Sequence, residues 1–398
     1  MKISNLYQNT LIFLFSIVVF ILTRQVPFDS YSIIMNLSVI LFIILYFISK
    51  KNIFKQNETI FYTLGLVILL LVHLVYTGLF TDNKMSYVIR FFLIILIIIL
   101  SQQIDIKSKS IINVFFTFIF LQSFIIIISE FYLLLFSDLT QANLIRNFVS
   151  EKGWGDVYSN GIFYHIQIKG NALIPLGFML LFNKNIFNSN YFKKLILLLA
   201  TIFSGNFAFL IAIFIFTITL PFTNNVLSRK KIKNIFWLLL LLILSSKFIY
   251  DFAYQKIKLK NEGDSIFERK EQVSYLIDDL FSNPLYSLFG KGLGNTLNIV
   301  SSTRDYRESI FYEIQPIYFL NQMGLLFFII FLSFHFYIAY YKYRNKLLLL
   351  IYVCFFLYSS TNPYIFDTNQ FVVIILLNTY QCFSIQKSNL STQPKKFN

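Results

Sequence analysis

The sequence predicts an all-α polytopic membrane protein, with about twelve transmembrane helices and one large extracytoplasmic loop bearing a surface helix. Three observations carry that expectation. Hydrophobic residues make up 57% of the chain and charged residues only 13%, a balance far from that of a soluble domain. The mean hydropathy is +0.66, and the apolar residues gather into runs long enough to cross a bilayer. Lysine and arginine sit in short clusters between those runs. The net charge of +15 therefore follows the positive-inside pattern and forms no basic face for nucleic acid.

A spanning helix needs about 20 mainly apolar residues. The first such run, near residues 10–24, follows Lys2 like a signal peptide, but no small-residue cleavage site comes after it, so it reads as a retained helix. Further spans are expected near residues 31–49, 59–80, 86–102, 111–136 and 162–182. Six more follow, near 191–204, 206–223, 234–251, 316–341, 346–361 and 366–384, the first two separated only by Ser204, Gly205 and Asn206. No polar stretch is long enough to build its own core. Residues 1–386 are therefore expected to form one transmembrane domain and 387–398 a short cytoplasmic tail. Cys354 and Cys382 both fall in apolar runs, as buried free thiols do.

With the N-terminus inside, the basic clusters collect on alternate connections: Lys50, Lys51 and Lys55; Lys107 and Lys109; Lys184, Lys193 and Lys194; Arg229, Lys230, Lys231 and Lys233; Lys342, Arg344 and Lys346; then Lys387, Lys395 and Lys396. Both termini are then cytoplasmic. Two outside connections exceed what a turn requires, residues 137–161 and, above all, 251–316. In the longer one, Val273, Leu276, Ile277 and Leu280 recur at helical spacing between Phe267 and Phe281, and Asn283 and Pro284 end the run. A helix lying at the membrane surface is expected there.

The long loop also concentrates chemistry. Glu268, Arg269 and Lys270 lie on the surface helix, Gly290, Gly292 and Gly294 follow it, and Arg304, Arg307, Glu308 and Glu313 close the loop. A guanidinium fork matches phosphate oxygens, and a nearby carboxylate can accept a hydroxyl proton. Ordinary solvated ion pairs are the bland alternative. The glycine run lacks the Gly-Lys-Ser/Thr ending of a nucleotide loop, and it reads either as a turn or as a nest of amides for an anion. A second constellation joins Arg146 to His165, Gln167, Lys169 and Asn171 at the start of the expected 162–182 helix, where His165 and Lys169 would share a face. Snorkelling is the alternative for Lys169, and Arg90 invites the same two readings. His335 reads as interhelical packing, whereas Thr361, Asn362 and Pro363 before Asp367 read as a cavity lining or a plain turn. His73 and Asn206 are further polar positions at membrane depth. Glu262 and Asp264, or Asp278 and Asp279, are weak candidates for a divalent ion, and no zinc-type spacing occurs.

Several stretches resemble the O-antigen polymerase and ligase superfamily of membrane glycosyltransferases. These are SIFERKEQVSYLIDDLFSNPLYSLFGKGLG over residues 265–294, EIQPIYFLNQMG over 313–324, IQIKGNALIPLGFML, and STNPYIF. Ligases of that superfamily carry a histidine about eleven residues before the last glycine of the second stretch. Glu313 stands there in this chain, which favours a repeat-unit polymerase. The arginine often found near the Ser204–Asn206 break is absent.

The resemblance implies a GT-C-like enzyme of the bacterial inner membrane, in which an acceptor sugar hydroxyl attacks the anomeric carbon of a glycan carried on undecaprenyl pyrophosphate. It implies Arg269, helped by Arg146, Lys169 and Arg90, on the pyrophosphate, and Glu313 as base, with His165, Arg304 and Arg307 as further substrate contacts. No metal or other cofactor is implied. A chain-length regulator and a flippase would be its protein partners. An O-antigen ligase or a lipid-linked glycan flippase are the competing readings. A transporter, however, would concentrate charge within its helices rather than in one loop.

Overall fold

The computed structural model describes residues 2–23, 32–49, 58–136, 139–151, 155–159, 164–168, 170–183, 191–223, 265–297, 299–300, 305–307, 310, 312–362 and 364–391. The first half builds long helices: α1 (Lys2–Leu22), α2 (Ser32–Ser49), α3 (Glu58–Phe80), α4 (Met85–Ser101) and α5 (Lys109–Phe136). The short helix α6 (Leu139–Glu151) leads into strands β1 (Gly155–Ser159) and β2 (Tyr164–Ile168), and these into α7 (Leu173–Leu180). Then come α8 (Tyr191–Phe203) and α9 (Phe207–Thr219). The loop contributes α10 (Ser265–Phe281) and α11 (Pro284–Phe289), and α12 (Gln315–Lys342), α13 (Lys346–Ser359) and α14 (Thr368–Ser391) complete the bundle.

The chain is a mostly helical membrane protein. Among the described residues, α2, α3, α5 and α12 are long and apolar enough to cross a membrane, and four shorter helices or helix segments are apolar as well. The described residues do not reach the expected count of twelve, and the span expected at 234–251 lies outside them. The packing is that of a lipid-solvated bundle. Helix α3 turns Phe61, Ile68, Val72, Val75 and Leu79 outward and buries Thr63, His73 and Thr77. Lipid costs an apolar face nothing, whereas each polar group must find a partner inside. His335 does so completely: it bonds the Tyr352 hydroxyl and lies 3.1 Å from Gln102 Nε2. Its reading as interhelical packing is borne out by this fully buried network.

The helix expected over 162–182 is the main correction. Residues 155–159 and 164–168 form two strands: Val157, His165, Ile166 and Ile168 are buried, and Asp156 and Tyr158 on β1 pair with Gln167 and His165 across the antiparallel register. The hydrophobic window spanning 162–182 had merged one face of this hairpin with α7. That helix has eight residues, about 12 Å of rise, which is too short to cross a membrane. All of α7 is buried. Asn171 ties it to α5 by accepting from Gln122 at 2.8 Å, and the Tyr358 hydroxyl donates to the Ala172 carbonyl at 2.6 Å. The backbone N–H of Tyr164 donates to the buried Glu130 carboxylate of α5 at 2.8 Å, which anchors the far end of the hairpin.

Connections gather at two ends of the bundle. Lys342 pairs with Asp105 at 2.8 Å, and the Asp105 N–H donates to the Tyr46 hydroxyl at 2.7 Å, so the ends of α2, α4 and α12 meet. At the other end, Asn83 donates to the carbonyls of Lys291 and Leu293, at 2.9 and 3.0 Å. That end carries the candidate site.

Candidate functional site

Helix α10 buries one stripe of i, i+4 residues, Glu268, Gln272, Leu276 and Leu280, against α12. The expected apolar stripe is thus rotated. Val273 and Ile277 are only half-buried, and the first two buried positions are polar. A buried polar pair must be satisfied, and the returning end of the loop does this. The Tyr306 hydroxyl donates to Glu268, and Gln272 Nε2 donates to the same hydroxyl at 2.6 Å. Gln272 Oε1 accepts from the backbone N–H of Glu313 at 3.0 Å.

One Gln272 amide therefore holds both Tyr306 and the start of the Glu313 segment in place. Beside it, Arg269 Nε donates to Glu313 Oε2 at 2.7 Å, with both side chains 27% exposed. Residues 44 apart in sequence, placed near the two ends of the loop, form one ion pair. Arg269 also lines an open cavity of about 360 Å³ with Lys270, Val273, Ser274 and Ile314.

The hairpin approaches the same pair. Burial pushes the Tyr158 hydroxyl up to about 12, with Asp156 adding to the rise, while the charge of Arg269 and a hydrogen bond from Gln167 act against it. Tyr158 thus lies within electrostatic reach of Arg269. Two residues before it, Asp156 accepts from Arg146 Nε at 3.0 Å, both side chains being well exposed. Arg146 is consequently engaged with a carboxylate of the hairpin.

The other candidates are placed differently. His165 is 1% exposed and sits in β2, so its expected pairing with Lys169 on a helical face does not occur; Lys169 and Arg304 lie outside the described residues, as does Glu308. The His165 ring packs against Gly205, whose φ of 70° and closeness to the ring leave no room for a side chain: a Cβ there would come 2.2 Å from His165 Nδ1. The break at Ser204–Asn206 exists to receive this ring, and Asn206 then caps α9 by accepting from the Ala208 N–H at 3.1 Å. Arg307 is bound to its neighbour Asp305, Nε to Oδ1 at 2.9 Å, which holds the Asp305 carboxyl down to about 2. Arg90 lies near Tyr318, at the far end of a ladder of rings running Tyr306, Tyr312, Tyr318 with centroids 5.5 and 4.5 Å apart. It does not join Arg269.

The glycine-rich run is a clip. Helix α12 breaks at Gly324, with φ 70° and ψ 169°, which frees the carbonyls ahead of it. The N–H of Lys291 donates to Asn321 O at 2.9 Å and that of Gly292 to Gln322 O at 3.0 Å. The next two amides are also taken, Leu293 by the Thr77 hydroxyl at 3.0 Å and Gly294 by Gln322 Oε1 at 2.7 Å. With these amides committed to the fold, the nest reading falls and the turn reading stands. Asp279 is committed as well. It pairs with Lys291 at 2.9 Å and accepts from Asn295 and Asn321, at 3.1 and 3.0 Å, so it is not an open metal ligand. Among the described residues no three His, Cys, Asp or Glu side chains cluster within reach of one ion.

Asp156, Tyr158, Gln272 and Tyr306 were not singled out by sequence. Gln272 stands four residues after Glu268, and the alternation of residues 155–159 was readable, so both signals were present. Gln272→Leu is expected to unhook Glu313 and Tyr306 while both charges of the ion pair persist. The protein should still insert in the membrane, with its thermal midpoint in detergent lowered in line with the roughly 1–3 kcal/mol cost of unsatisfied buried partners. No protein-family model matches the chain, and no curated protein matches it by sequence.

Proposed function

We propose that the chain is a membrane glycosyltransferase that polymerises the repeat units of a bacterial surface polysaccharide, O-antigen or capsule. It would transfer a growing glycan from undecaprenyl pyrophosphate to a sugar hydroxyl of a lipid-linked repeat unit. The observation that carries this reading is the Arg269–Glu313 pair, a cation and a carboxylate 2.7 Å apart, part-exposed beside an open cavity.

In this reading the leaving pyrophosphate competes for the Arg269 guanidinium and its planar fork takes the developing charge. The carboxylate released from the pair accepts the acceptor hydroxyl proton as that oxygen attacks the anomeric carbon. The bond from that carbon to the pyrophosphate oxygen breaks, and the lipid pyrophosphate leaves. Such chemistry belongs on the outer side of the inner membrane. The basic clusters on the alternate connections support that orientation, with both termini cytoplasmic. About twelve spans, a flippase supplying the substrate and a chain-length regulator belong to the same proposal.

A strain deleted for the gene tests the reading. It should display single repeat units joined to the surface acceptor in place of polymer. Accumulation of untransferred polymer would instead identify a ligase, and loss of all outward-facing repeat units would identify a flippase.

A further inference from the structure

A second cavity, of about 240 Å³, lies where the hairpin, the Ser204–Asn206 break and Tyr364 meet. Its polar lining comes from Asp156, Gln167, Asn171, Ser204, Asn206 and Tyr364, with Phe209 forming an apolar wall. Three stretches singled out separately in the sequence, about 200 residues apart at the extremes, thus line one pocket.

We propose that this pocket binds a single uncharged sugar ring, that of the acceptor; the word acceptor rests on the glycosyltransferase reading above, whereas sugar binding does not. The lining chemistry selects the ligand. Asn171 is committed to Gln122 and the Ile166 carbonyl, but the Gln167 carbonyl, the Asn206 side-chain N–H groups and the Tyr364 hydroxyl can serve vicinal hydroxyls, and the Phe209 and Tyr364 rings, 6.3 Å apart, supply an apolar surface for the sugar's C–H face. The described lining holds one carboxylate, Asp156, and no cation of its own, so a phosphate would find no positive charge there that is not already paired. Arg146 neutralises Asp156 from one side and completes a pocket suited to a neutral ligand.

The volume is below the roughly 300–1,000 Å³ of sites for drug-sized ligands, which suits one ring rather than a chain. A donor sugar carries its pyrophosphate on the anomeric carbon and must lie among cations. The acceptor's terminal sugar carries none. Tyr158 links the two places, since it shares a strand face with Asp156 and lies within reach of the charge of Arg269.

The test uses the full-length protein in nanodiscs and saturation-transfer NMR with a panel of methyl glycosides of common neutral sugars, each matched by its sugar 1-phosphate. At least one methyl glycoside should bind saturably and better than its 1-phosphate. Asn206→Ala and Gln167→Ala should each weaken it about tenfold, equivalent to about 1.4 kcal/mol, whereas Arg269→Ala should leave it unchanged. Absence of saturable binding by every glycoside, or binding that survives both pocket substitutions, overturns the site. Preference for the 1-phosphate, or loss on Arg269→Ala, overturns its assignment to the acceptor. Since Asn206 caps α9, Gln167→Ala and a thermal unfolding curve guard against a folding defect. The deletion phenotype decides the enzymatic reading by itself, so the two can fail separately.

Discussion

Under the proposed polymerase function, Arg269→Ala and Glu313→Ala are each expected to reduce polymer formation by about a hundredfold or more, the scale on which loss of one preorganised electrostatic contact acts. Both proteins should still reach the membrane. The ion pair is part-exposed, and pairs of that kind contribute only about 0–1 kcal/mol to stability, so removing it leaves the fold standing. Two conservative substitutions sharpen the result. Arg269→Lys keeps the charge without the planar fork, and most of the activity should still be lost if bidentate contact with pyrophosphate is what matters. Glu313→Gln keeps the shape and removes the base. The double alanine variant should be hardly worse than either single one, because the two side chains act as a unit. Polysaccharide length on gels, scored against membrane protein level, measures all of these. Normal chain length in both alanine variants would end the assignment.

The second large effect is structural. Gly290 has φ 82°, and a Cβ on it would come 2.1 Å from the Gln322 carbonyl oxygen; a Cβ on Gly324, φ 70°, would come 2.3 Å from the Gly290 nitrogen. The two glycines interlock where the loop's amides satisfy the broken helix. With ψ of 172° and 169° both sit in a region that essentially only glycine adopts, so alanine combines backbone strain of about 1–3 kcal/mol with a clash against backbone that cannot rotate away, about 1–2 kcal/mol more. Gly290→Ala and Gly324→Ala should therefore each destabilise the protein by about 2–5 kcal/mol, read as a drop in thermal midpoint in detergent. Gly78, exposed in α3 with nothing within 4 Å of an added Cβ, is the control. There alanine should be neutral or slightly stabilising.

These outcomes would separate two roles that the long loop plays at once. Its middle, residues 290–295, clips the loop to α3 and α12, and its ends bring Arg269 to Glu313. A glycine variant should lose protein and activity together, whereas an Arg269 or Glu313 variant should lose activity alone.

Local pattern was enough to read most of the long helices, because a spanning helix satisfies its own backbone and needs only an unbroken apolar run. The α8–α9 break was visible too, since Gly205 is a poor helix residue and Asn206 after it is a good N-cap. Arg269 and Glu313 were legible as chemistry by residue type and loop position. What they touch was not: an ion pair across 44 residues is set by how Gln272 and Tyr306 seat the loop, and no periodicity encodes that. The hairpin was hidden for a related reason. A hairpin is placed by neighbours distant in sequence, and here Glu130 on α5 accepts from the Tyr164 N–H while Gly205 in the break makes room for the His165 ring. Composition and charge placement thus determined a membrane bundle with its reactive groups in one loop. Only tertiary packing decided which of those groups meet, because buried polar side chains take the partners that distant segments bring to them.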